Sequence, residues 1–272
     1  MAKIKELGFC KVCGNYGILT EEHIPPRSAF NDSAIKLFSV DETLKTITDN
    51  DRLPWDFSGL KFKIKQGGNK FKTLCSKCNS YFGTNYVNYY QEIIKSFAYF
   101  LSTINCENER YVHAKTENFK PLPFIKQVVA MFSSLTNLAE VSDMKNFLLD
   151  KDSNTFNKVK YKIYMSVFKS GLKRISGWSV ILRKNGHFLV SEIVSYPFIF
   201  VLLGNADKHS QENTEFLGTD ITNFVDFKFD DEASLEISLP INECNINFPC
   251  DYRTQEEIIK CRELNIKNKS TK

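Results

Sequence analysis

No apolar run in these 272 residues is long enough to cross a bilayer; the longest, around Ile193 to Leu203, is short and interrupted. The opening stretch, MAKIKELGFC, carries charges where a secretory signal would need an apolar core. Internal repeats and long low-complexity linkers are also missing, so a solenoid or a disordered tail-like chain is not expected. Histidine is scarce, at four residues, and a net charge of +4 singles out no partner. With 42% hydrophobic and 25% charged residues, the composition is that of an ordinary globular chain. One large domain or two modest ones, with no membrane association and a cytoplasmic location, is the expectation.

Cysteine is well supplied. Of eight, four form two C-x-x-C pairs, Cys10/Cys13 and Cys75/Cys78, while Cys106, Cys244, Cys250 and Cys261 are scattered. In a reducing compartment, paired C-x-x-C spacing favours a metal over a disulfide. Four thiolates complete the closed tetrahedral shell of a structural zinc, which leaves no coordination position for chemistry. Its role would be to clamp two distant segments of a small domain. In CKVCGNYG, Gly14 relieves strain after the second cysteine.

Between the pairs lies TEEHIPPRSAF, in which Glu22 and His23 stand side by side ahead of Pro25 and Pro26. The zinc clamp would bring this segment near Asn79, the residue after the last cysteine. One carboxylate and one carboxamide oxygen suit a hard divalent cation such as Mg²⁺ or Mn²⁺. A neutral imidazole beside them can take a proton from water. Metal plus base is a minimal kit for hydrolysing a phosphodiester. From Arg52 to Lys77 seven basic residues face a single acid, Asp56. Lys61, Lys63, Lys65, Lys70 and Lys72 in that stretch, and Arg27 beyond the prolines, are candidate nucleic-acid contacts.

The pattern C-K-V-C, E-E-H-I-P-P and L-C-S-K-C-N resembles the HNH (ββα-metal) nuclease family, in particular zinc-bearing members of the endonuclease VII type. The resemblance implies that Glu22 and Asn79 hold the catalytic metal and that His23 is the general base at the end of a strand. It also implies zinc on the four paired cysteines and products with 5′-phosphate and 3′-hydroxyl ends. The acid is Glu where Asp is more usual. Many HNH proteins add a histidine on the following helix; none occurs here before His113, so Asn85 or Asn88 is the candidate replacement, or the metal has two protein ligands only, as in the resolvase-like members.

Downstream, Asn85 to Ile104 has helical length, a short strand is expected near Tyr111 to Ala114, and PLPFIKQVVAMFSSL reads as a core-facing helix begun by prolines. Val159 to Val167 alternates as a strand, and GWSVILRKNGHFLVSEIV reads as two strands around Asn185-Gly186. FVDFKFDDEASLEISL reads as a further hairpin, YPFIFVLLG as a buried strand, and NIKNKSTK as a frayed tail. His113, His187 and His209 carry no evident role.

The expected fold is therefore α+β. A zinc-stabilised ββα-metal module with its exit helix would occupy residues 1–105. An α+β domain with an antiparallel sheet would follow at 106–272, regulating the nuclease, binding a partner or forming a homo-oligomer. The function implied is a metal-dependent endonuclease acting on DNA, in the setting of bacterial anti-phage defence and restrained by a partner or signal. Hydrolysis by water makes no use of a 2′-hydroxyl, so RNA stays open as a substrate. The alternative is a zinc-stabilised nucleic-acid-binding or scaffold subunit with an inactive site; a structure-specific resolvase or homing-type nuclease differs in substrate only.

Overall fold

The computed structural model describes residues 6–49, 52–106, 108–138, 142–183, 186–209 and 214–270. It is a mixed α+β structure with antiparallel sheets. Strands β1 (Leu7–Phe9) and β2 (Tyr16–His23) form a hairpin around the first cysteine pair. An insertion follows, with β3 (Ile35–Phe38), α1 (Val40–Thr48) and β4 (Phe62–Lys65), and among the described residues β3 and β4 pair only with each other. Helix α1 starts where Ser39 Oγ accepts the Glu42 backbone N–H at 3.2 Å, with Asp41 and Glu42 in its first turn.

The chain then returns as β5 (Lys70–Cys75), which closes the order β1-β2-β5 by pairing antiparallel with β2. It continues into α2 (Ser76–Asn85) and α3 (Val87–Thr103). Strand LKFKIK and the helix over 85–104 are thus where the sequence places them. The sequence pattern does not separate α2 from α3, which the backbone of Tyr86 divides.

After α3 come β6 (Tyr111–Phe119), α4 (Pro121–Leu135) and α5 (Ser142–Leu149). Next are β7 (Tyr161–Gly171), β8 (Arg174–Arg183), β9 (Gly186–Ser195), β10 (Phe198–Gly204), β11 (Thr219–Asp220), β12 (Ala233–Cys244) and α6 (Gln255–Ser270). The larger sheet runs β6-β12-β7-β10-β9-β8, with β11 on β7. Its one parallel pairing among the described residues is β12 with β7. Every residue of β10 is buried, as YPFIFVLLG leads one to expect. Strands β8 and β9 pair across the expected hairpin, with Arg183 opposite Gly186; Asn185 itself lies outside the described residues.

Two expectations fail. The segment FVDFKF is not a strand: residues Thr222–Asp226 form a 3-10 turn before β12, which pairs with β6 instead. Two tertiary bonds bolt this turn to β7: Ile163 N–H donates to Thr222 Oγ1, and Ile221 N–H to the Ile163 carbonyl, both at 2.9 Å. Adjacent Phe224 and Val225 are then both buried, which an alternating strand does not allow. The expected frayed tail, of which Thr271 and Lys272 lie outside the described residues, is instead helical as far as Ser270, where α6 ends. It is tied to the insertion by Arg262, whose guanidinium donates to the carbonyls of Arg52 and Asp49.

Helix α4 is the hub. Prolines at its first turn need no intrahelical donor there, and from Pro121 to Ser134 every residue is buried. It packs on α2, α3, β5, α5 and β8. The division expected at residue 105 falls between α3 and β6. A single apolar cluster spans it, joining Val12, Ile24, Leu74 and Phe82 to Leu122, Phe124 and Ile125. No described helix is long and apolar enough to cross a membrane.

Candidate active site

The two cysteine pairs meet. Cys13 and Cys75, 62 positions apart, bring their sulfurs to 3.8 Å. The ligand atoms of Cys10, Cys13, Cys75 and Cys78 all lie within 4.8 Å of one another. Sulfurs at tetrahedral corners about 2.3 Å from a zinc ion would be about 3.8 Å apart, so the cluster fits a metal such as zinc. The knuckle closes on itself, with Gly14 N–H donating to the Cys10 carbonyl at 2.8 Å and Gly14 at φ +78°. A hydrogen bond from Cys78 holds the Cys10 thiol down to about 4, while that same contact and then burial push Cys78 up. The remaining cysteines are apart: Cys244 and Cys250 are buried, Cys106 half-buried and Cys261 exposed.

Glu22 and His23 end β2, opposite Phe71 and Lys70 of β5, beyond a bulge between Thr20 and Glu21. Glu22 is buried at 9% exposure, and Thr73 on β5 donates its hydroxyl to Oε1. Burial raises its carboxyl to about 7, against the pull of the Thr73 hydroxyl. Ser134 Oγ on α4 makes no hydrogen bond among the described residues.

His23 is half-buried, and its Nε2 lies 3.1 Å from the Gly67 carbonyl. A carbonyl only accepts, so Nε2 carries the proton and Nδ1 is left as the acceptor. Burial, then the nearby Lys70, lowers the His23 pKa, which keeps the ring neutral near pH 7. Asn79, near the start of α2, donates Nδ2 to Thr20 Oγ1 and to the Glu21 carbonyl, each at 3.1 Å. Those bonds fix the carboxamide and leave Oδ1 uncommitted among the described residues.

Glu22, His23 and Asn79 line one cavity of about 600 Å³, together with Arg27, Glu21, Asp32 and Gln127. Asn85 does not line it; its Nδ2 donates to the Tyr81 carbonyl one turn back, at 2.8 Å. The lysines are dispersed. Lys61 and Lys63 are exposed in the insertion, Lys65 Nζ donates to the Lys70 carbonyl at 2.7 Å, and Lys72 pairs with Glu6 at 3.4 Å. Among the candidate nucleic-acid contacts, only Arg27 faces the cavity.

The comparisons with known proteins match nothing: no family model, no curated protein and no solved structure corresponds to this chain.

Sequence reasoning missed the side chains that hold the site. Asn31, 6% exposed, donates Nδ2 to the carbonyls of Pro25 and Asn69 at 2.6 and 3.1 Å. Its Oδ1 accepts the Asn69 N–H at 2.7 Å. It thus joins the loop after His23 to the turn that bears Gly67. Gly68, at φ +76°, permits this approach: a Cβ there would stand 2.2 Å from Asn31 atoms. The pair Gly67-Gly68 was the available signal for a tight turn. Thr73, Ser134 and Gln127 gave none, because tertiary packing alone brings them to Glu22 and its cavity.

Proposed function

We propose that this protein is a metal-dependent endonuclease of the HNH type, hydrolysing phosphodiester bonds with His23 as general base. The observation that carries the reading is the convergence of Glu22, His23 and Asn79 on one cavity, from a β1-β2-β5-α2 unit that also bears four clustered cysteines. The zinc would sit on Cys10, Cys13, Cys75 and Cys78 and hold β2 and α2 in register. Glu22 and the uncommitted Oδ1 of Asn79 would hold a Mg²⁺ or Mn²⁺ ion, a donor set of oxygens that suits a cation retaining several waters. Such a cation, when bound, stabilises negative charge on the phosphate and on the leaving oxygen.

His23 takes the proton of the attacking water at Nδ1, its ring fixed from behind by the Gly67 carbonyl. The water oxygen bonds to phosphorus as the bond to the 3′-oxygen breaks, leaving a 5′-phosphate and, after protonation, a 3′-hydroxyl. Arg27, which lines the cavity, would donate to a non-bridging phosphate oxygen. DNA is the substrate proposed, with RNA as the other arm of the assay. The biological setting proposed is a cytoplasmic anti-phage effector held in check by a partner or signal.

A second reading has one observation behind it. Asn85 is committed to its own helix, so it supplies no ligand in place of the missing histidine; that fits a binding subunit whose site no longer cuts, and equally a two-ligand site of the resolvase-like kind. Plasmid cleavage separates the two: purified protein beside His23→Ala, with Mg²⁺, Mn²⁺ or no divalent cation. Metal-dependent nicking that drops at least a hundredfold in the variant is the expected result, within the usual range for a general base. DNA binding without cutting, indifferent to metal, would establish the binding subunit.

A further inference from the structure

The insertion between β2 and β5 carries a two-stranded ribbon that is open to solvent on both faces. An antiparallel sheet ordinarily lays one face on a core. Leu37 and Lys63 stand opposite each other on one face of the β3-β4 ribbon, and Lys36 and Ile64 on the other; all four are exposed. Ile64 keeps 63% of its surface in solvent and Leu37 40%. Apolar side chains exposed among polar ones in this way mark an interaction surface.

The charge of the ribbon has one sign. From Phe57 to Lys72 there is no acid, and β3 has none either. Among the described residues, neither Lys36 nor Lys63 has an ion-pair partner. Glu42, on α1, is engaged by Lys45 and by the Lys61 backbone N–H. A basic, partly apolar ribbon is complementary to a polyanion that also offers apolar groups.

The foot of the ribbon lies at the catalytic cavity. Gly68 N–H donates to the Ser33 carbonyl at 2.8 Å, and Asn31 holds Asn69. Both strands therefore spring from the turn whose Gly67 carbonyl fixes His23. Lys63 stands four positions before Gly67, a span of at most ~14 Å of chain. One turn of B-form DNA is about 34 Å long, so a duplex held by the ribbon presents a phosphate of the same turn to His23.

We propose that the β3-β4 ribbon enters the major groove of duplex DNA and sets the strand to be cut against His23. The inference rests on the nucleolytic reading and names the form of its substrate. The major groove of B-form DNA admits a two-stranded ribbon, whereas that of A-form RNA is too deep and narrow to be read. The Lys36–Ile64 face, the more exposed one, turns to the bases. Lys36 donates to guanine O6 or N7, and Ile64 packs on thymine methyl groups. Lys63, on the other face, reaches a bordering phosphate.

The test is fluorescence anisotropy on the full-length protein in a His23→Ala background, without added divalent cation. The probes are a DNA duplex of about three helical turns, the RNA duplex of the same sequence, the single DNA strand, and the DNA duplex with 7-deazaguanine. The plain DNA duplex is expected to bind about tenfold more tightly than the RNA duplex or the single strand. Removing guanine N7 should weaken binding by the parent, and Lys36→Ala should bind both DNA duplexes alike. Lys63→Ala should reduce the slope of log affinity against log salt by about 0.9, the share of one phosphate. Lys95→Ala/Lys115→Ala removes two exposed cations elsewhere and should change nothing. Thermal midpoints should match the parent's throughout, since each of these side chains is exposed. Equal binding of DNA and RNA duplexes, a preference for the single strand, or Lys36→Ala and Lys63→Ala proteins that match the parent would overturn the ribbon. If His23-dependent plasmid cleavage persists in that case, the nuclease reading stands without it. If the groove contacts hold but no divalent cation supports cutting, the ribbon stands and the nuclease reading falls. A protein that binds no nucleic acid overturns both.

Discussion

Glu22→Gln tests the buried carboxylate directly. Burial raises the Glu22 carboxyl from 4.5 to about 7, a displacement worth about 3 kcal/mol at roughly 1.4 kcal/mol per unit. Since the folded pKa exceeds the unfolded one, the folded state binds more protons between these values. Stability is therefore fully present below pH 4.5 and declines as pH rises through about 7. Glutamine keeps an acceptor for Thr73 but has no proton to lose. Urea unfolding of both proteins across pH 4.5 to 8 should show near-equal stability at the acid end. Glu22→Gln should lead by about 3 kcal/mol at pH 8. Differencing the two curves cancels the cysteines, which titrate in both. Mn²⁺ at a hundred times its Kd should then restore about 2.7 kcal/mol to the parent and little to the variant. A gap that does not change with pH would refute the assignment of burial. Equal stabilisation of both proteins by Mn²⁺ would refute Glu22 as the ligand.

Two further outcomes concern the groups around the base and the cysteines. Asn31→Ala removes three hydrogen bonds, two that tie the loop after His23 to Asn69 of the Gly67 turn and one within that loop, to the Pro25 carbonyl. It should cost about 3 kcal/mol in urea unfolding and slow cleavage at least tenfold, with Mn²⁺ affinity unchanged; a variant as active and stable as the parent would rule out the clamp. Atomic absorption should find one zinc per chain, and Cys75→Ser should lower both the zinc content and the thermal midpoint; stability indifferent to zinc would remove its structural role.

The parts legible in the sequence are those whose geometry is local. Each C-x-x-C pair sits in one tight turn, so spacing alone announces it, and the four sulfurs do meet. The alternation of LKFKIK and the buried run of YPFIFVLLG likewise report their own backbone. Residues recruited from far along the chain are silent: nothing near Gln127 or Ser134 in sequence mentions Glu22. FVDFKF alternates convincingly and is still no strand, because bonds to β7 set its shape. The C-terminal helix was a different kind of miss. Thr254 and Glu257 exchange side-chain and backbone hydrogen bonds at 3.2 and 2.8 Å, a capping box readable as T-Q-E-E.

Helix α4, buried from Pro121 to Ser134, has a bearing on how this molecule can change. Its Ala130 and Met131 wall the cavity of His23, while Phe124 stacks on Tyr90 and packs against Phe200 of the large sheet. The β2-β5-α2 unit therefore borrows its back wall from the other half of the chain and is not a transferable cassette. A substitution deep in the sheet can be felt at the cavity through one rigid helix. Drift in the two halves is thereby coupled, and neither could be exchanged alone for a counterpart from another chain.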